Sequence, residues 1–174
     1  MKTRNVVMTM AAAVTMALML APQVEAVPGR GVQDFKAWNG GKGGGAVLFN
    51  VKDDVVRDGP STNGAVLLEA CWGARRFCQM DGRRKVVVAS ARGGSLYSGT
   101  RGPRIHTIRA EWGRVYAADG KTLLFELHGN RVYGANGVAL LTTNIGLDTA
   151  DVGTLHLIAL MLEQFDYYEF GNDG

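Results

Sequence analysis

The sequence predicts a mainly β fold, a closed antiparallel barrel of short hairpin repeats around a hydrophobic C-terminal α-helix. Three observations carry this. Alternating apolar and polar segments punctuated by Asp-Gly or Asn-Gly recur from Ala46 onward. Within them the pairs Phe77-Cys78, Leu96-Tyr97, Val115-Tyr116 and Val132-Tyr133 return at spacings of 19, 19 and 17 residues. Near the end, Leu157 to Leu162 are six consecutive apolar residues, which face every side of a helix and must be buried all round or placed in lipid. The run Val152 to Phe165 would span about 21 Å as a helix, short of the ~30 Å hydrocarbon core of a bilayer. His156, Glu163 and Gln164 interrupt it further, which places it inside protein.

In chain order, Lys2 and Arg4 precede an uncharged run from Val6 to Leu20, then Pro22 and Val24-Glu25-Ala26. A basic start, an apolar stretch and small residues at −3 and −1 predict a secretory signal peptide over residues 1–26, cut after Ala26. The rival is an uncleaved membrane anchor. Cleavage leaves 148 residues, one domain's worth, secreted or periplasmic and with no transmembrane segment. Such a chain buries enough surface to fold without a metal, and no cofactor is expected. Residues 27–45 form a Gly-rich N-terminal segment. Lys42 lies among glycines there, but no Ser or Thr follows it, so the segment reads as a linker rather than a phosphate loop.

Residues 46–174 then make one barrel domain. Five units begin near Leu48, Leu67, Val87, Ile105 and Leu124, each a longer strand, a polar turn and a short strand. Asp-Gly and Asn-Gly accept the positive φ of tight hairpin turns. Periods near 20 residues are too short for propeller blades. Five two-strand units give about ten strands, enough to close on themselves and remove exposed edges. Cys71 and Cys78 flank the Trp72–Phe77 turn of the second unit. In an exported protein an even cysteine count fits one disulfide, and these two can pair across neighbouring strands. The helix is expected over about 148–165, with Asp148 as N-cap and Asp151 three residues on.

The Val115-Tyr116, Asp119-Gly120 and Leu124-Phe125-Glu126-Leu127 pattern, closed by an apolar helix and Phe165-Asp-Tyr-Tyr-Glu-Phe170, resembles the Tubby, LURP-one-related and phospholipid-scramblase barrel group. It is also similar to the small bacterial β-flower repeat proteins. The resemblance covers about Ala46 to Phe170 and implies a closed β-barrel around a central hydrophobic helix. Tubby domains bind phosphoinositide head groups through basic side chains, but none of those positions matches a specific residue of this chain. The signal peptide departs from that group, because phosphoinositides face the cytosol.

Catalytic signatures are lacking. His106, His128 and His156 show no metal-binding spacing and read as structural residues. Asp53-Asp54 falls in a turn, where carboxylates are ordinary. No Gly-x-Ser-x-Gly elbow occurs, and no metal site is expected from two cysteines without a nearby histidine pair. No Asn-x-Ser/Thr acceptor is present. The chain is therefore read as not an enzyme.

Charge is more informative. Between Arg75 and Arg114 ten basic residues stand against Asp81 and Glu111, net +8. From Val115 to the end two basic residues stand against eight acidic ones, net −6. This segregation marks a surface for an anionic partner (a lipid head group, glycan or acidic protein), with Arg75, Arg76, Arg83, Arg84 and Lys85 as candidate binding residues. Nucleic acid is not expected, because aromatic residues are not interleaved with the basic run in a recognition pattern. Two function classes follow: an exported non-catalytic binding module, or a structural or assembly scaffold with no small-molecule ligand.

Overall fold

The computed structural model describes residues 31–40, 45–110 and 113–164; the expected signal peptide and the tail from Phe165 onward lie outside them. Among these residues twelve strands close into one antiparallel barrel. Five hairpins make most of the wall: β2 (Val47–Lys52) with β3 (Val55–Asp58), β4 (Val66–Cys71) with β5 (Arg76–Asp81), β6 (Arg84–Arg92) with β7 (Ser95–Ser98), β8 (Arg104–Arg109) with β9 (Arg114–Ala117), and β10 (Leu123–His128) with β11 (Arg131–Gly134). They are the five repeats of the sequence. A sixth pair is assembled from distant parts of the chain: β1 (Phe35–Asn39) lies against β12 (Ala139–Thr143), with Ala37 opposite Thr143.

Two expectations are corrected here. The barrel begins at Phe35 rather than 46, so part of the segment read as a linker is wall, and ten strands become twelve. The gain is topological, because β1 and β12 leave no edge exposed only by pairing with each other.

Strand order around the barrel is strand order along the chain. Register shifts fall on alternate junctions only, at Ala37/Trp38, Val56/Arg57, Phe77/Cys78, Leu96/Tyr97, Leu123/Phe125 and Val132/Tyr133. Extra residues of this kind raise local twist, and here they recur around the wall and help it curl shut. The pairs singled out in the sequence sit at these shifts. In each, Phe77, Leu96, Val115 or Val132 points inward and is fully buried.

The helix α1 (Val152–Gln164) fills the bore. Nine consecutive residues, Thr154 to Leu162, are buried, so the helix is enclosed on every side as its composition requires. It starts later than expected. A 3₁₀ turn occupies Leu147–Thr149, and the Asp148 carboxylate accepts the Gly129 N–H instead of capping α1. Asp151 is the cap: its carboxylate accepts the Thr154 N–H at 2.8 Å and the Thr154 hydroxyl at 2.9 Å. Gly153 lets this end approach the wall, because a Cβ there would lie 2.7 Å from the Ala74 Cβ. Ala74 belongs to the β4–β5 turn, so α1 starts at the rim that carries that turn. It runs toward the opposite rim, where the β5–β6 turn lies.

Candidate functional site

The five candidate cations do not form one patch. Arg75 and Arg76 stand at the β4–β5 turn, whereas Arg83, Arg84 and Lys85 stand at the β5–β6 turn. The length of β5, about 17 Å from Arg76 to Asp81, separates them. At the first rim the Arg76 guanidinium lies 4.8 Å from the centre of the exposed Trp72 ring. Two other stacks cross their hairpins diagonally, Arg92 on Tyr97 at 5.2 Å and Arg109 on Tyr116 at 4.9 Å. In β4–β5 the same diagonal across the hairpin is taken by the Cys71–Cys78 disulfide, with Cα atoms 6.3 Å apart.

The second rim is different. β6 is nine residues long, while the other strands have four to six. β5 and β6 pair out to Asp81 opposite Arg84. The ladder to β4 stops at Glu69–Cys78, and that to β7 stops at Ala89–Ser98. Residues 79–81 and 84–86 therefore pair only with each other, a two-stranded ribbon that parts from β4, whose Val66 and Leu68 stay paired with β3. Residues 80–86 are all exposed, with Gly82 turning at φ +59°.

Within the ribbon, Lys85 forms an ion pair with Glu69 of β4. Arg83 and Arg84 form no ion pair among the described residues. Met80 and Val86 are 54% and 43% exposed, and Val66 of β4 is 48% exposed. Because barrel order follows chain order, the net +8 segment becomes one continuous arc of wall, β5 to β9, ending at this ribbon. The potential of the arc adds to that of the two unpaired arginines.

A second polar cluster lies inside the bore. His106 of β8 and His156 of α1 are both fully buried. His156 Nε2 lies 3.3 Å from the Gly93 carbonyl, His156 Nδ1 lies 2.9 Å from His106 Nε2, and His106 Nδ1 lies 3.1 Å from the Glu163 carboxylate. The directions follow from the far end. A carbonyl only accepts, so His156 donates through Nε2 and, when neutral, accepts at Nδ1 from the His106 Nε2–H. Burial, reinforced by the neighbouring His106, pushes the His156 pKa down to about 3; the bond to the Gly93 carbonyl opposes this. The chain of bonds ends on a backbone carbonyl, not on a hydroxyl or thiol that it would activate, and neither ring is exposed. It fixes the rotation and depth of α1 against β8.

The sequence reading treated these histidines one at a time. Two signals for the cluster were present. His156 and Glu163 are seven residues apart, hence on one helix face. His106 also stands at the inward position that other repeats fill with Phe49, Leu68 and Phe125.

The remaining candidates are structural. His128 is exposed at one rim. Asp53 and Asp54 turn between β2 and β3 at φ 52° and 65°, and Asp54 accepts the Val32 N–H. Asp34 joins Lys52 at 2.7 Å, which holds its carboxyl below the usual carboxylate range. That pair borders a groove of about 200 Å³ between Lys36, Asn50 and Asn144, small for a ligand pocket. A wider hollow of about 390 Å³ lies at the rim where α1 starts, between His128, Asp148 and Leu155, with Asp148 as its one carboxylate among the described residues. Among the described residues no three His, Cys, Asp or Glu side chains are grouped to hold a metal ion, and no helix is long and apolar enough to cross a membrane.

No family model, curated protein or solved structure matches this chain.

Proposed function

We propose that this protein is an exported, non-catalytic binding module that engages an anionic partner through the β5–β6 ribbon. The observation that carries the reading is the ribbon itself. Its β5–β6 ladder runs three residue pairs beyond the last pairs with β4 and β7, and it places Arg83 and Arg84 in solvent without ion-pair partners among the described residues. The barrel has its own helix in its bore, so its contribution is to hold that ribbon rigidly. Sealed imidazoles and a relay that ends on a carbonyl support the non-catalytic reading. Export is part of the proposal and is supported by the Cys71–Cys78 disulfide, since such bonds persist in oxidising compartments. Kinship with the Tubby and scramblase barrel group is also part of it, supported by the barrel around a C-terminal helix.

The test is binding to acidic and to neutral vesicles, and to heparin, across a salt series. Binding to at least one polyanion should weaken steeply with salt, because screening acts on exposed charges over about 8–10 Å. Replacing Arg83, Arg84 and Lys85 by Ser should abolish most of it. One observation favours the scaffold reading: charged residues on the unpaired edges of a ribbon also guard against edge-to-edge aggregation. A parent that binds no polyanion, with a triple variant that aggregates, would establish that reading instead.

A further inference from the structure

Resting on that reading, we infer that the chain regulates the ribbon itself: residues 165–174 lie across its core-facing side and compete there with the anionic partner. The helix α1 leaves the bore at the ribbon's rim. Gly153 meets Ala74, and His156 meets the Gly93 carbonyl, at the rim carrying the β4–β5 and β6–β7 turns. From there the 13 residues of α1 run about 20 Å, the length of a six-residue strand. Its last residue, Gln164, is exposed at the far end. The ribbon faces that exit. Phe77 of β5 points into the core and is fully buried. Side chains alternate along a strand, so Gln79 shares the face of Phe77, and so do Val86 opposite Gln79 and Arg84 opposite Asp81. Val86 is about half exposed there, and Arg84 and the turn residue Arg83 form no ion pair among the described residues.

The charges of the two segments are complementary. Residues 165–174 carry Asp166, Glu169 and Asp173 and no Lys or Arg. A helix C-terminus repels carboxylates, and the last turn of α1 holds no basic residue to offset this. The ribbon supplies the cations, since an Arg fork donates two parallel hydrogen bonds to a carboxylate. Tyr167 and Tyr168 stand between Asp166 and Glu169, and a ring laid on Val86 removes apolar surface from water on both sides. The span is short. Twelve strands close at a radius of about 12 Å, which about four extended residues cross, and Glu169 is the fifth residue after Gln164. The ribbon of a second copy is the wrong occupant, because it would set Arg83 and Arg84 against their own kind. Ion pairs at this exposed site are weak, so a polyanion of higher charge density displaces the segment.

The test places a nitroxide spin label on Asn172→Cys in the full chain and reads the broadening of backbone amide signals. Residues 82–86 should broaden more than residues 118–122, a turn at the same rim. The difference should vanish in about 1 M salt, where screening acts within about 3 Å. It should also vanish in Arg83→Ser/Arg84→Ser and in Asp166→Asn/Glu169→Gln, whose melting temperatures should match the parent's. Unlabelled Asp166→Asn/Glu169→Gln should bind heparin about fivefold more tightly than the parent, a gain of about 1 kcal/mol. Equal broadening of the two turns, or broadening that survives the arginine substitutions, would overturn the inference. Broadening that appears only between a labelled copy and an unlabelled one would overturn it too, in favour of contact between molecules. A tail variant that binds heparin no better than a binding parent would overturn the competition and leave the anionic reading standing. If parent and tail variant both bind no polyanion, the anionic reading falls, while the label decides the tail's contact independently.

Discussion

Acidification tests the buried histidine chain directly. His156 has an unfolded value near 6.5 and a folded value near 3. On lowering the pH, the unfolded chain therefore takes up a proton before the folded one does. Stability is full above about pH 6.5 and falls as pH drops through the window down to about 3. Each unit in that window removes about 1.4 kcal/mol, so going from pH 6.5 to 4.5 should remove about 2–3 kcal/mol. That is a large share of the 5–15 kcal/mol typical of a domain. His106 and Glu163 face His156 along the same hydrogen-bonded chain, and neither offers it an acceptor that would stabilise a second charge. The carboxylates held low do not interfere. Asp34, beside Lys52, and Asp119, pushed to about 2 by the Thr122 hydroxyl and the Lys121 and Thr122 N–H groups, lose their contributions only below about pH 4. The assay is guanidinium unfolding at half-unit pH steps, for the parent and for His156→Leu. The variant should be weaker at pH 7, because the His106 Nε2–H loses its acceptor, but nearly flat between pH 6.5 and 4.5. Equal stability of the parent at those two pH values, or an undiminished slope in His156→Leu, would refute the reasoning.

Other outcomes follow from the packing of the bore. Leu160→Ala should lower the unfolding free energy by about 2–5 kcal/mol, through lost transfer energy and a cavity that the closed wall cannot collapse into; an effect below 1 kcal/mol in denaturant titration would mean the helix is not enclosed. Gly153→Ala should destabilise, by about 1–3 kcal/mol, despite alanine's better helix propensity, because the new methyl meets Ala74; a higher melting temperature would contradict the close approach. Reducing Cys71–Cys78 should remove about 2–3 kcal/mol and leave the circular dichroism spectrum intact, since the short loop contributes little chain entropy.

The sequence made the hairpin wall legible because each repeat is local: its turn and its alternating face lie within about 20 residues. The enclosed helix was legible because Leu157 to Leu162 leave no polar side. What escaped depends on distant pairing. β1 takes its wall position from β12, about a hundred residues away, and nothing in Phe35–Asn39 alone distinguishes it from a linker. Asp148 looked like a cap because its rival claim, the Gly129 N–H, comes from another hairpin. The buried chain joins residues 50 and 57 positions apart. For the candidate site, the cations between Arg75 and Lys85 read as one cluster along the chain. A strand between them, however, places the two groups at opposite rims. The ribbon followed from where the ladders to β4 and β7 stop, which no single segment encodes.

We propose the β5–β6 ribbon as the functional surface of an otherwise self-filled barrel. Amide hydrogen exchange, with and without phosphatidylserine-containing vesicles, tests it most directly. Unbound, residues 79–86 should exchange much faster than β8 or α1, since their strands have one neighbour each. With acidic vesicles, protection should rise across residues 79–86 and the adjoining start of β4, and nowhere on the arc from β10 to β12. Protection centred elsewhere, or none at lipid concentrations that saturate binding, would contradict the claim.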